Sequence, residues 1–135
     1  MISYEIKKRV RYGETDQMGF LYYGHYAFYY EIARVEMMRN IGLVYKDMEK
    51  MGVMMPVLEL KTKYIKPAYY DDEVTIKIVV KELPTTRIRF EYELFNPAGE
   101  LINIGETTLV FVNAKTFKPC YPPEEMYNLL KRYFN

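Results

Sequence analysis

Few residues in this chain have the chemistry to break a bond. A carboxylate, Asp16, lies in a loop between Gly13 and Gly19, just ahead of a strongly apolar helical segment. His25 is the only histidine and Cys120 the only cysteine, while Glu31 and Arg34 form an i, i+3 pair on that segment. An acid placed before a helix start suits attack on a carbonyl. The carboxylate attacks or activates water, and the first N–H groups of the helix, which have no acceptor in a preceding turn, stabilise the oxyanion. Hydrolysis of a thioester has both of these needs. Asp also shapes turns well, so a purely structural Asp16 is the competing reading.

The other candidates are weaker. A lone His25 leaves three roles open: general base, polar group at the first helical turn, or surface residue. Glu31 with Arg34 reads either as a buried structural pair or as support for the site. Cys120, flanked by Pro119 and Tyr121 with no neighbouring histidine, reads as a bystander. One histidine and one cysteine are too few for an ordinary metal cluster, so neither metal nor cofactor is expected. The absence of a standard Gly-rich phosphate loop agrees with this. Met18, Gly19, Tyr22 and Tyr26 are the candidates for substrate contact, as lining of an apolar pocket.

The elements that would position these residues follow from periodicity. Residues 4–12 read as a short strand. Residues 23–41 read as a helix with two apolar stripes, one of Tyr26, Tyr29, Tyr30, Ala33 and Met37 and another of Phe28, Ile32 and Val35. A helix apolar on most sides should be surrounded by protein. Gly42 should stop it, and residues 44–50 form a second, shorter helix. The second half alternates with period two. Val74, Ile76, Ile78 and Val80 oppose Thr75, Lys77 and Lys81, and Ile88, Phe90, Tyr92 and Leu94 oppose Arg87, Arg89, Glu91 and Glu93. Residues 58–66 and 101–113 read as two further strands. Short Pro- and Gly-containing connections at 83–85 and 96–99 call for antiparallel hairpins. A last helix at 123–133 opens on a proline.

Strand, buried helix, then four antiparallel strands makes an α+β chain whose curved antiparallel sheet wraps a long central helix. This is the hotdog arrangement. The 135 residues fit a single domain, 1–135, with half of the residues apolar and 27% charged. A net charge of +1 with scattered Lys and Arg speaks against a nucleic-acid partner. No run is apolar for long enough to span a membrane, and the N-terminus does not read as a signal peptide, so a cytoplasmic location is expected.

The segment Arg11-Tyr12-Gly13-Glu14-Thr15-Asp16-Gln17-Met18-Gly19, with Tyr22-Tyr23-Gly24-His25-Tyr26 and Glu31-Ile32-Ala33-Arg34, resembles the 4-hydroxybenzoyl-CoA thioesterase-like hotdog enzymes, including their Tol–Pal-associated branch. Tyr64-Ile65-Lys66-Pro67-Ala68 and Val110-Phe111-Val112-Asn113 are similar to its strand passages, so the likeness runs over roughly residues 4–124. The resemblance implies an acyl-CoA thioesterase with Asp16 as nucleophile or general base and the Tyr23 backbone N–H polarising the carbonyl. It further implies a homodimer or homotetramer with the site at the subunit interface. Two positions depart from the commonest pattern, Tyr23 for His and His25 for Asn, and they bear on acyl preference. The alternatives are an acyl-carrier-protein thioesterase, with Arg87 and Arg89 as a basic rim, a non-catalytic acyl-CoA binding module, and a dehydratase that would use His25.

Overall fold

Val74, Ile76, Ile78 and Val80 all point inward on β4 (Glu73–Val80), and Ile88, Phe90, Tyr92 and Leu94 do the same on β5 (Arg87–Phe95). Each such side chain contributes roughly 1.5–3 kcal/mol when fully buried, which is what pins the register of the two strands. The computed structural model describes residues 1–135, the side chain of Tyr45 excepted. With β1 (Ile2–Arg9), β3 (Val57–Tyr64) and β6 (Leu101–Val110), these strands form a five-stranded antiparallel sheet in the order β1-β4-β5-β6-β3. The hairpins β4–β5 and β5–β6 turn where the Pro- and Gly-containing connections predict.

The long helix α1 (Tyr26–Asn40) lies across the inner face and packs on β1 and β4. Tyr26, Tyr29, Tyr30, Ala33 and Met37 are buried, as the first stripe predicts. Tyr30 is fully buried and reaches across to the sheet. Its ring stacks on Tyr92 at 4.2 Å, and its hydroxyl pairs with Thr62 (2.8 Å) and with Asn103. The helix ends at Gly42, whose φ of +99° only glycine adopts freely. There the Gly42 N–H donates to Arg39 and the Leu43 N–H to Met38, a Schellman closure.

Several boundaries differ from the sequence reading. The first strand stops at Arg9, and Tyr12–Glu14 forms a 3-10 turn. The helix begins with a separate 3-10 turn, Tyr23–His25. The last long strand breaks after Val110, and β7 (Val112–Asn113) pairs with β2 (Val53–Met54) in a small second sheet. The end helix is α3 (Glu124–Lys131), preceded by Pro123. The short α2 (Tyr45–Lys50) forms as expected.

One expectation needs a larger correction. The sheet covers only one side of α1. Phe28 is 48% exposed, and Ile32 and Val35 are only half-buried. The curved sheet buries the Tyr26–Met37 side of α1, and the second apolar stripe is only partly covered within this chain. The sheet-edge strand β3 likewise exposes Val57, Leu58 and Leu60. Among the described residues, no helix is long and apolar enough to cross a membrane.

Candidate active site

Asp16 sits near the tip of a tight hairpin. At its base the Tyr22 N–H donates to the Glu14 carbonyl at 2.9 Å; further out the Asp16 N–H donates to the Phe20 carbonyl at 2.9 Å. The Gly19 N–H closes the tip onto the Asp16 carbonyl at 3.0 Å, with Gly19 at φ +81°. The Asp16 side chain takes part in the same turn. Its Oδ1 accepts the N–H groups of Met18 (2.9 Å) and Phe20 (3.3 Å). Both bonds fall on Oδ1, so Oδ2 is not committed to the loop. A turn-shaping Asp16 therefore still leaves one carboxylate oxygen open to chemistry.

The hairpin is strapped to the chain that follows β3. Leu21 N–H donates to Ala68 at 2.7 Å, Tyr70 N–H to Gly19 at 3.3 Å, and Phe20 pairs with Tyr69. The resulting cleft, about 300 Å³, is lined by Asp16, Met18, Tyr23, Tyr26 and Tyr64, with Phe20, Leu21 and residues 65–67 completing the wall. Three tyrosine rings stand edge to face along it. Tyr26 meets Tyr64 at 5.0 Å and Tyr23 meets Tyr64 at 6.4 Å. The Tyr64 hydroxyl also donates to the Tyr23 carbonyl at 3.1 Å, which ties the helical start to the sheet. Tyr23 and Gly24 open the 3-10 turn, so their N–H groups precede any intrahelical acceptor.

Of the residues singled out in the sequence, Asp16, Met18, Tyr23 and Tyr26 come together in this cleft. Gly19, Tyr22, His25 and Glu31 are not part of its lining. Gly19 shapes the hairpin. The Tyr22 ring lies against Tyr23 and edge-on to His25. Gly24 permits this packing, because a Cβ there would lie 2.7 Å from the Tyr22 ring. Glu31 is exposed, whereas Arg34 is buried and donates to the Tyr92 hydroxyl at 3.0 Å. Arg87 and Arg89 lie on the outer sheet face, lining a separate hollow with Lys81 and Glu91. Cys120 is half-buried, its N–H bonded to the Phe111 carbonyl. Tyr64 and residues 65–67 were not recognised as site residues from the sequence. They lie some forty positions downstream of the loop, and only strand pairing brings them back. Among the described residues, no group of three or more His, Cys, Asp or Glu side chains is placed to hold a metal ion.

The chain matches the thioesterase-like superfamily over residues 10–130. It is similar to YneP of Bacillus subtilis, with 34% identity over 110 residues that cover 82% of this chain and 80% of YneP. It is also similar to the acyl-CoA thioester hydrolase YbgC of Escherichia coli, at 29% identity over 87% of this chain and 88% of that one. A DHNA-CoA thioesterase structure from Staphylococcus aureus superposes with a TM-score of 0.86 at 38% identity, covering 99% of this chain and 85% of the other. With a family match over nearly its whole length and a hotdog architecture around the Asp16 cleft, the chain belongs to the thioesterase-like superfamily, as an enzyme of the thioester hydrolase class.

Proposed function

We propose that the chain hydrolyses acyl-CoA thioesters in the Asp16 cleft, with the Asp16 carboxylate acting as nucleophile or general base and the Tyr23 N–H polarising the thioester carbonyl. The observation that carries this reading is that Asp16 and the start of the Tyr23 turn, seven positions apart in sequence, line one cleft. In the general-base form, Asp16 takes a proton from water as the hydroxyl adds to the carbonyl. The C–S bond then breaks, and the products are a carboxylic acid and free CoA thiol. In the nucleophilic form a mixed anhydride precedes the same products.

The cleft wall bears on the acyl group. The rings of Tyr23, Tyr26 and Tyr64 offer flat faces and edges that suit a planar aromatic acyl group. The aromatic substrate named for the Staphylococcus aureus relative supports the same choice. Arg87 and Arg89 lie outside this cleft, so they do not form a basic rim at its mouth for a carrier protein.

The working unit is a homodimer or homotetramer. The β3 edge carries unpaired backbone groups next to exposed Val57, Leu58 and Leu60, and such edges pair with another strand unless they are protected. A second copy would also supply the cover that the Phe28, Ile32 and Val35 face of α1 lacks in a single chain. An acyl-CoA substrate places the protein in the cytoplasm.

The test is a thiol-release assay on aromatic, short-chain and long-chain acyl-CoAs with wild type and Asp16→Asn. The asparagine oxygen still accepts from Met18 and Phe20, so the loop keeps its shape. Turnover of at least one substrate and a loss of about 10²-fold or more in the variant are expected. Full activity in Asp16→Asn would remove Asp16 from the chemistry.

A further inference from the structure

Glu14 takes no part in the chemistry just described, yet it is more fully bonded than any other carboxylate near the cleft. Its Oε1 accepts the Arg11 N–H at 2.9 Å and the Tyr29 hydroxyl at 2.8 Å. The Lys8 ammonium sits 3.1 Å from both carboxylate oxygens. The two charged side chains are only 16% and 19% exposed. Its backbone carbonyl receives the Tyr22 N–H and so closes the base of the Asp16 hairpin. One residue therefore joins β1 through Lys8, α1 through Tyr29, and both arms of the loop. Asp16 lies two residues beyond Glu14 on one arm, and Tyr23 lies one residue beyond Tyr22 on the other.

We propose that Glu14 is a positioning residue, a clamp that sets the distance between the Asp16 carboxylate and the N–H groups of the Tyr23 turn by tethering the hairpin base to α1 through Tyr29. The proposal rests on the reading of Asp16 and Tyr23 as the site. Effective attack requires reacting atoms held near contact distance, and a misplacement of about 1 Å costs on the order of 10²-fold in rate. A hairpin joined to the helix only by its own backbone could shift that far. The Lys8–Glu14–Tyr29 tether resists the movement. Burial disfavours the Glu14 carboxylate, but the Arg11 N–H, the Tyr29 hydroxyl and Lys8 outweigh it and hold the carboxyl below its usual range. Burial, reinforced by the carboxylate beside it, pushes the Tyr29 phenol up, so it stays protonated and remains the donor.

The experiment compares Glu14→Gln, Glu14→Ala and Tyr29→Phe with wild type, reading kcat and KM for the best acyl-CoA and amide hydrogen exchange at Met18 and Phe20. The glutamine variant keeps a neutral acceptor for Tyr29 and Arg11, the alanine variant keeps none, and Tyr29→Phe removes one hydroxyl. The expected kcat order is wild type, then Gln, then Ala, with at least tenfold lost in Ala and KM within about threefold throughout. Tyr29→Phe falls in the same direction, and Met18 and Phe20 exchange faster while the amides of β5 do not. Unchanged kcat per folded molecule, with only a lower Tm, would reduce Glu14 to a structural anchor and overturn the proposal. If Glu14→Ala does not fold, the Gln and Tyr29→Phe variants decide. If wild type itself turns over nothing, the thioesterase reading fails, and the exchange rates at Met18 and Phe20 still decide whether the clamp exists.

Discussion

Replacing Gly105 by alanine would place a methyl carbon 2.2 Å from the Tyr30 hydroxyl oxygen and 2.3 Å from its ring Cζ. Ordinary carbon contacts lie about 3.5–4 Å apart, so the ring would have to retreat by more than about 1 Å. Tyr30 has nowhere to go. It is fully buried, stacked on Tyr92 at an interplanar angle of 13°, and its hydroxyl is shared between Thr62 and Asn103. Retreat would break two hydrogen bonds, each worth about 1 kcal/mol net, and disturb a ring pair worth about 0.5–1.5 kcal/mol. The expected cost is therefore about 3 kcal/mol, within the range seen for overpacked cores. For a chain of this size that lowers Tm by roughly 10 °C, measured by circular dichroism or calorimetry. Gly13→Ala is the control, since a Cβ there meets nothing within 4 Å and φ is not positive; it should stay within about 0.5 kcal/mol of wild type. A Gly105→Ala protein melting within 2 °C of wild type would refute the placement of Tyr30 between α1 and the sheet.

Two further outcomes follow from the same structure. Wild type should sediment as a dimer or larger assembly of its 16.2 kDa chain, and Ile32→Asp combined with Leu60→Lys should shift it to monomer with the loss of thiol release; an unchanged mass would free the α1 face and the β3 edge from any role in assembly. The Glu14 carboxyl is held below its ordinary value in the folded chain, so its contribution to stability is complete above the ordinary carboxylate range and fades as pH falls through the depressed value. Acid unfolding followed against pH should thus be shallower for Glu14→Gln than for wild type, and identical curves would mean that the folded and unfolded states hold this carboxyl alike.

Legibility of the sequence depended on how local each determinant was. The inward faces of β4 and β5 could be read directly, because alternation of Val and Ile, or of Phe, Tyr and Leu, against charged residues is a period-two signal within one strand. The Asp16 loop was legible from its residue types and resemblance. Its closure was not, since the hairpin depends on backbone bonds to Phe20 and on Gly19 at positive φ. Tyr64 and residues 65–67 are legible only as a strand motif, because their place in the cleft depends on the pairing of β3 with β6 and on the bonds of Leu21 to Ala68 and of Tyr70 to Gly19. Glu14 was seen only as part of a motif, for its partners come from β1 and α1.

The one misjudged element is informative about where sequence and single-chain structure part. The sequence pattern calls for cover of both apolar stripes of α1, and within one chain only the Tyr26–Met37 stripe is fully covered. A periodicity argument detects that a face needs burial; it does not say which chain supplies the burial. Phe28 is largely exposed, Ile32 and Val35 are half-buried, and the unpaired β3 edge is separately apolar at Val57, Leu58 and Leu60. Two separate rules, that apolar helix faces are covered and that apolar edges are paired, both fit the self-association proposed above. The Asp16 cleft opens beside Tyr64, at the end of that same edge strand. Val57, Leu58 and Leu60 lie toward the start of β3 and the Asp16 cleft toward its end, so a strand paired along the full edge would span from the one to the other.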